Sequence, residues 1–146
     1  MAAIYRLSLP RRLVNALARP LIRLGLSGQM HLLVVRGRRT GRLYSTPVKL
    51  IEHEGARWLV APYGERSWVK NARAAGSVEL RHGRRVEHVR VVEADPATAG
   101  AVLREYLRTT PVTQRFFDAR SDSLLDAFVD EAPRHPVFRI EAGGHR

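Results

Sequence analysis

The stretch HLLVVRGRRTGRLYSTPVKLIEHEGARWLVAPYGERSWVKN, residues His31 to Asn71, decides how this chain folds. Its opening run, His31 to Arg36, is short and rich in β-branched residues, the composition of a strand. Gly37-Arg38-Arg39-Thr40-Gly41 follows, with two glycines flanking three hydrogen-bonding side chains, which predicts a tight turn able to surround an anion. Tyr44 to Glu52 resumes strand character, and Glu54-Gly55-Ala56 breaks it before Arg57 to Ala61. That break predicts a hairpin whose turn uses Gly55 at positive φ, so the two strands are antiparallel neighbours. After Pro62-Tyr63-Gly64, the segment Glu65 to Arg73 has helical composition, and the N–H groups at its start are free to face the same anion as the turn.

Working outward, residues 8–26 place Leu13, Val14, Leu17, Ala18, Leu21 and Leu24 on one helical face and Arg12, Asn15, Arg19 and Arg23 on the other. Pro20 kinks or splits this amphipathic helix. Downstream, Ser77 to Ala94 alternates with period two around His82-Gly83 and predicts a second hairpin. Asp95-Pro96 caps a helix through about Arg108, with Ala97, Ala101, Val102, Leu103 and Tyr106 as its apolar stripe. Gln114 to Asp130 predicts two short helices around Arg120-Ser121-Asp122, with Phe116, Phe117, Leu124, Leu125 and Phe128 buried. His135 to Glu141 is a last strand, with Arg139 outward between inward Phe138 and Ile140. Hairpins with inserted rather than alternating helices predict an α+β fold on an antiparallel sheet or small barrel. The expected organisation is one domain over residues 1–146, of which 1–28 form an N-terminal helical extension.

Charge sharpens this picture. The chain carries a formal net charge of +11. Residues 1–50 hold ten basic groups and no acid, leaving 15 of the 25 basic groups and all 14 acids to the remaining 96 residues. All cations but Lys49 and Lys70 are arginines, whose planar fork binds phosphate and carboxylate bidentately. An anionic partner fits: a phosphorylated cofactor, an acidic membrane surface or nucleic acid. The absence of cysteine excludes disulfides, thiolate catalysis and Cys-ligated metals. No apolar run long enough to span a bilayer and no secretion signal is found, so a cytoplasmic location is expected.

Among catalytic patterns, the six histidines form no ligand pair at helical spacing, so no metal site is expected. No Gly-x-Ser-x-Gly elbow, G-x-G-x-x-G or Walker turn occurs. The Arg-rich turn and the Tyr63 to Asn71 segment remain.

Those residues carry a resemblance. Gly37-Arg38-Arg39-Thr40-Gly41, Ser45-Thr46-Pro47-Val48, Ala61-Pro62-Tyr63-Gly64 and Trp68 to Gly76, in that order, resemble the deazaflavin-dependent nitroreductase family over roughly residues 30 to 94. Ala132 to Phe138 also resembles some members. The resemblance implies an antiparallel split β-barrel related to flavin-binding pyridoxamine oxidases. It implies binding of coenzyme F420, the 8-hydroxy-5-deazaflavin cofactor, as hydride donor to a small organic acceptor such as a nitro compound, quinone or enone. Arg38, Arg39, Thr40, Gly41, Ser45, Thr46, Pro47 and Lys49 are then expected to hold the phosphodiester and polyglutamate arm. The backbone of Pro62, Tyr63 and Gly64 is expected along the ring edge, with Trp68, Val69 and Asn71 near the ring or its phosphate arm. Trp68 is equally consistent with a core aromatic under the helix. The catalytic proton donor is unassigned, with Tyr44 and Tyr63 as candidates.

The rival reading is a non-catalytic split barrel that holds flavin mononucleotide (FMN), haem or fatty acid. A nucleic-acid module is disfavoured, because the basic segments lack interleaved aromatics. Family likeness also allows a homodimer. The helix of residues 8–26 is expected to pack on the domain, with at most a weak peripheral membrane contact through its arginines.

Overall fold

The computed structural model describes residues 30–120 and 122–143. The expected helix of residues 8–26, and with it any membrane contact, lies outside the described residues. Six strands, β1 (Met30–Arg36), β2 (Leu43–His53), β3 (Ala56–Val60), β4 (Ser77–His82), β5 (Arg85–Glu93) and β6 (Val137–Ala142), close an antiparallel barrel in the order β1-β2-β3-β6-β5-β4. β1 makes the closure: its Leu33 stands opposite Thr46 on β2 and opposite Leu80 on β4. Both predicted hairpins form. At the β2–β3 turn Glu54 and Gly55 have φ of 52° and 76°, the paired positive values that match the twist of a two-residue hairpin.

Period-two alternation divides the apolar residues between two cores. Leu33, Val35, Val48, Leu50, Leu59 and Phe138 point into the barrel. Ile51, Trp58, Val60 and Val137 point outward, beneath helix α2 (Pro96–Thr109) and helix α3 (Leu125–Glu131). Helix α1 (Ser67–Ala75) joins the inner core through Trp68, Val69 and Ala72. It ends at Gly76, left-handed at φ 75°, whose N–H reaches Ala72 O at 2.8 Å. Asp95 caps α2 as expected, its Oδ1 accepting the Thr98 N–H at 2.8 Å with Pro96 in the first turn.

Gln114 to Asp130 takes part in the two expected short helices, one of them 3-10, but departs from the expected burial. A 3-10 turn over Pro111–Phe116 precedes an irregular loop, and only α3 is α-helical. Phe117 and Phe128 are buried, whereas Phe116, Leu124 and Leu125 are exposed. The reason is a buried carboxylate: Glu131 Oε2 accepts the Ala119 N–H at 2.6 Å and the Asp118 N–H, and Oε1 lies 3.1 Å from His135 Nε2. The His135 ring in turn stacks on Phe117, with centroids 4.1 Å apart. The loop is therefore organised around a polar anchor rather than an apolar stripe.

α2 and α3 meet at Gly100, where a Cβ would sit 2.8 Å from Val129 N and 2.9 Å from its Cα. Backbone cannot yield as a side-chain tip can. Gly100→Ala is expected to lower stability by about 2 kcal/mol despite its gain in helix propensity. A thermal midpoint at or above that of the natural protein would show that the two helices separate freely.

Candidate functional site

The β1–β2 turn is fixed before any ligand arrives. Gly37 N–H donates to Arg42 O at 2.6 Å, Gly41 N–H to Gly37 O at 3.0 Å and Arg42 N–H to Thr40 Oγ1 at 3.2 Å. Arg36 Nη1 closes the turn on Gly41 O at 2.7 Å. Tyr44 lies across Gly37, where a Cβ would stand 3.1 Å from Tyr44 Cδ2 and nearer still to Cε2, and the Tyr44 hydroxyl is 3.3 Å from Thr40 Oγ1. Gly41 takes φ 76°. Glycine is thus required at both ends of the turn, at Gly37 for space and at Gly41 for conformation.

Helix α1 holds the turn through one side chain. Asn71, 3% exposed, accepts the Arg38 N–H at 3.1 Å and Arg38 Nη1 at 2.8 Å on its Oδ1. The partner is a neutral amide, so the Arg38 guanidinium keeps its charge available. Among the described residues, none of Arg36, Arg38, Arg39 and Arg42 has a carboxylate at ion-pair distance, and neither has Arg66 or Lys70 on the approach to and the body of α1. Elsewhere Arg57, Arg73, Arg81, Arg90, Arg108 and Arg134 each have a carboxylate partner. Arg73, on the same helix, lies 3.0 Å from Glu65 and 2.7 Å from Glu93, and the Glu93 hydrogen bond raises its pKa. Arg57 is paired in two-pronged fashion with Glu87, which that hydrogen bond holds below the usual carboxylate range.

Residues 43–49 of β2 pair only with β1, and pairing with β3 begins at Leu50 opposite Leu59. The other edge of the first half of β2 therefore has no partner strand. Ser45, Pro47 and Lys49 alternate onto the outer face, while Thr46, 5% exposed, is turned inward. Tyr63 is half exposed and meets the Phe116 ring edge-on at 4.7 Å. Gly64 holds the loop at φ 93°.

The structure thus gathers Arg38, Arg39, Thr40, Gly41, Tyr44 and Asn71 at one turn and sets Ser45, Pro47, Pro62, Tyr63 and Gly64 along the adjoining edge. Trp68 and Val69 are not brought there. Their side chains lie in the barrel core, with Trp68 6.1 Å from Phe138, which leaves only their backbone near the surface. The Lys49 ammonium is also withdrawn from the turn: it donates to Thr109 O at 3.0 Å at the end of α2. The expectation left out Arg42, which the absence of acids between residues 36 and 51 could have supplied, and Arg66 and Lys70, which it could not. Among the described residues no group of three His, Cys, Asp or Glu side chains is placed to hold a metal. A depression of about 640 Å³ opens at the far end of the barrel, between Gly55, Glu87 and Gly143. Its Arg57 is paired with Glu87, and its Arg139 guanidinium lies over the Trp58 ring.

Asn71→Leu is expected to cost about 1 kcal/mol and to speed amide exchange at Arg38 well beyond that of the barrel strands. Unchanged exchange at Arg38 would show that the turn holds its shape without the helix.

Comparison with solved structures establishes the architecture. An F420-H2 dependent reductase is 20% identical, with a TM-score of 0.55 over 77% of this chain and 94% of that one. A protein described as a domain-swapped dimer is 18% identical, with a TM-score of 0.55 over 91% of this chain and 100% of that one. An FAD-binding protein from Mesorhizobium loti is 14% identical, with a TM-score of 0.51 over 87% and 90%. At these identities the likeness shows the fold alone, the split barrel that the motifs implied. Comparison with curated proteins finds no match. The sequence model of the F420H(2)-dependent quinone reductases matches residues 12–138, a span that includes the Arg-rich turn, β2, α1 and the start of the last strand. The chain belongs to the F420H(2)-dependent quinone reductase family.

Proposed function

We propose that this F420-dependent reductase holds the phosphodiester and polyglutamate arm of the coenzyme on the Gly37–Gly41 turn and passes hydride to a small planar acceptor of quinone, enone or nitro type. One observation carries the reading: a cluster of arginines without acids, presented by a turn that is already ordered. Like charges repel, and four arginines gathered within residues 36–42 with no carboxylate at ion-pair distance are suited to a polyanion. Arg38, Arg39 and Arg42 supply the forks and Thr40 a hydroxyl. Ser45, Pro47 and the Pro62–Gly64 backbone would lie beside the ring. When bound, the coenzyme supplies the hydride. The protein orients the acceptor against it and excludes water. FMN, with a single phosphate, makes less use of the cluster.

Fluorescence quenching should show tighter binding of coenzyme F420 than of FMN, and rising salt should weaken the coenzyme more strongly. Replacing Arg38 and Arg39 together with Ala is expected to weaken the coenzyme by about 30-fold, or about 2 kcal/mol, with the thermal midpoint almost unmoved because both side chains are exposed. Equal affinity for FMN, or insensitivity to the double replacement, would sink the reading.

A further inference from the structure

Glu131, the last residue of α3, is 1% exposed. A carboxylate taken out of water is costly unless its oxygens are bonded, and among the described residues its bonds come from two short segments. Oε2 accepts the Ala119 N–H at 2.6 Å and the Asp118 N–H, while Oε1 lies 3.1 Å from His135 Nε2 and 3.4 Å from Arg134 Nη2. Arg134, its side chain half exposed, closes the cluster on the solvent side by also donating to Asp118 Oδ2 at 2.6 Å.

Both segments lead to one loop. From the first, the Phe116 ring meets Tyr63 edge-on at 4.7 Å. From the second, Pro136 O accepts the Ala61 N–H at 2.9 Å, and Arg134 O stands against Gly64, 3.6 Å from where a Cβ would be. Phe117, stacked on His135, joins the segments to each other. The ladder between β3 and β6 ends at Val60 opposite Val137, just before the Pro62-Tyr63-Gly64 loop. The loop's own bonds, Gly64 N–H to Ala61 O at 3.2 Å and Arg66 N–H to Gly64 O at 2.9 Å, shape the turn without fixing where it stands. Its contacts with Phe116, Arg134 and Pro136 do that. A leucine would fill the volume of Glu131, but only a directed acceptor sets the register of backbone segments outside the barrel ladder.

We propose that Glu131 is a positioning residue for the reaction: by holding the Phe116 and Arg134 segments it fixes the Pro62–Gly64 loop, and with it the place of the coenzyme ring relative to its acceptor. This rests on the functional reading above, in which that loop lies beside the ring. Glu131 is enclosed by protein, so it acts through the loop and not by touching either ligand. Hydride transfer is steeply sensitive to the placement of the ring, whereas the anionic arm is held separately at the Arg-rich turn.

Two replacements in the full-length protein test this: Glu131→Leu, which keeps the volume and loses the acceptor, and Glu131→Gln, which keeps an oxygen for the two N–H groups. By NMR without coenzyme, Glu131→Leu should lose the nuclear Overhauser effect between the Tyr63 and Phe116 rings and exchange the Ala61 amide about tenfold faster, with the other barrel-strand amides rising far less. Glu131→Gln should keep the ring contact and stay within about threefold of the natural exchange rate. Loaded with reduced coenzyme and given menadione as acceptor, Glu131→Leu should transfer hydride about tenfold more slowly in a single turnover, with coenzyme affinity within about threefold of natural, and Glu131→Gln should recover most of the rate. An unchanged ring contact and Ala61 exchange in Glu131→Leu overturns the proposal. So does a loosened loop with the natural rate of hydride transfer, or exchange that quickens equally through the whole barrel, which would make Glu131 a stabilising residue only. Should Glu131→Leu fail to fold, Arg134→Met loosens the same anchor from its exposed side, and unchanged Ala61 exchange there overturns the proposal equally. If the natural protein binds no coenzyme, the functional reading fails by itself, and the loop measurements still decide whether Glu131 positions Tyr63 and Gly64.

Discussion

One buried amide oxygen couples the two halves of the site. Asn71 Oδ1 receives both the backbone and the guanidinium of Arg38, so the helix that plugs the barrel and the turn that presents the arginines are parts of one rigid unit. The chemistry of that acceptor matters as much as its position. An aspartate would make the same two bonds and hold Arg38 more tightly, but it would also neutralise the charge that a ligand needs. A neutral acceptor orients the fork without competing for it. Tyr44 does the complementary work from the other side, packing across Gly37 and touching Thr40. A ligand arriving at this turn therefore meets groups whose ordering entropy has been lost during folding, and less of its binding energy is spent in arranging them.

The ion pairs elsewhere add little to stability, since most are partly exposed and screened. Their larger effect is on the shape of the field. Arg73 is neutralised by two glutamates, Arg90 by Glu141, Arg108 by Glu105 and Arg134 by Asp118. Each removes a competing basic patch. The arginines of residues 36–42 stand together with no acid among them, a local concentration of positive charge.

Much of this was legible in the sequence because the barrel obeys local rules. Period-two alternation, Gly55 and Gly83 at the hairpins and Asp95-Pro96 at a helix start lead to the strands and to α2 without tertiary knowledge. The Arg-rich turn was legible for the same reason. What escaped depends on contacts distant in sequence. Nothing near Phe116 says that it is exposed, because the loop's anchor is Glu131, and a buried carboxylate holding two backbone N–H groups has no local signature. Alternation places Lys49 opposite in facing to Thr46 and Val48, but only the fold shows that the end of α2, 60 residues on, closes over it. Helical periodicity likewise allowed Trp68 and Val69 either face. The barrel interior, with the larger apolar area to bury, took them.

The β2–β3 ladder is incomplete, and that sets the first half of β2 apart from the rest of the barrel. Had β3 continued beyond Val60 as a paired strand, its hydrogen bonds would have sealed the edge of β2 from Leu43 to Lys49. Instead Pro62 and the positive-φ Gly64 bend the chain away, and Pro47, which has no N–H to offer a neighbour, is tolerated on the unsealed side. The two prolines thus keep apart a pair of segments that strand register would otherwise join. The stretch without a second partner strand thus begins beside the arginines of the turn and ends at Lys49, whose Nζ donates to Thr109 O at the end of α2.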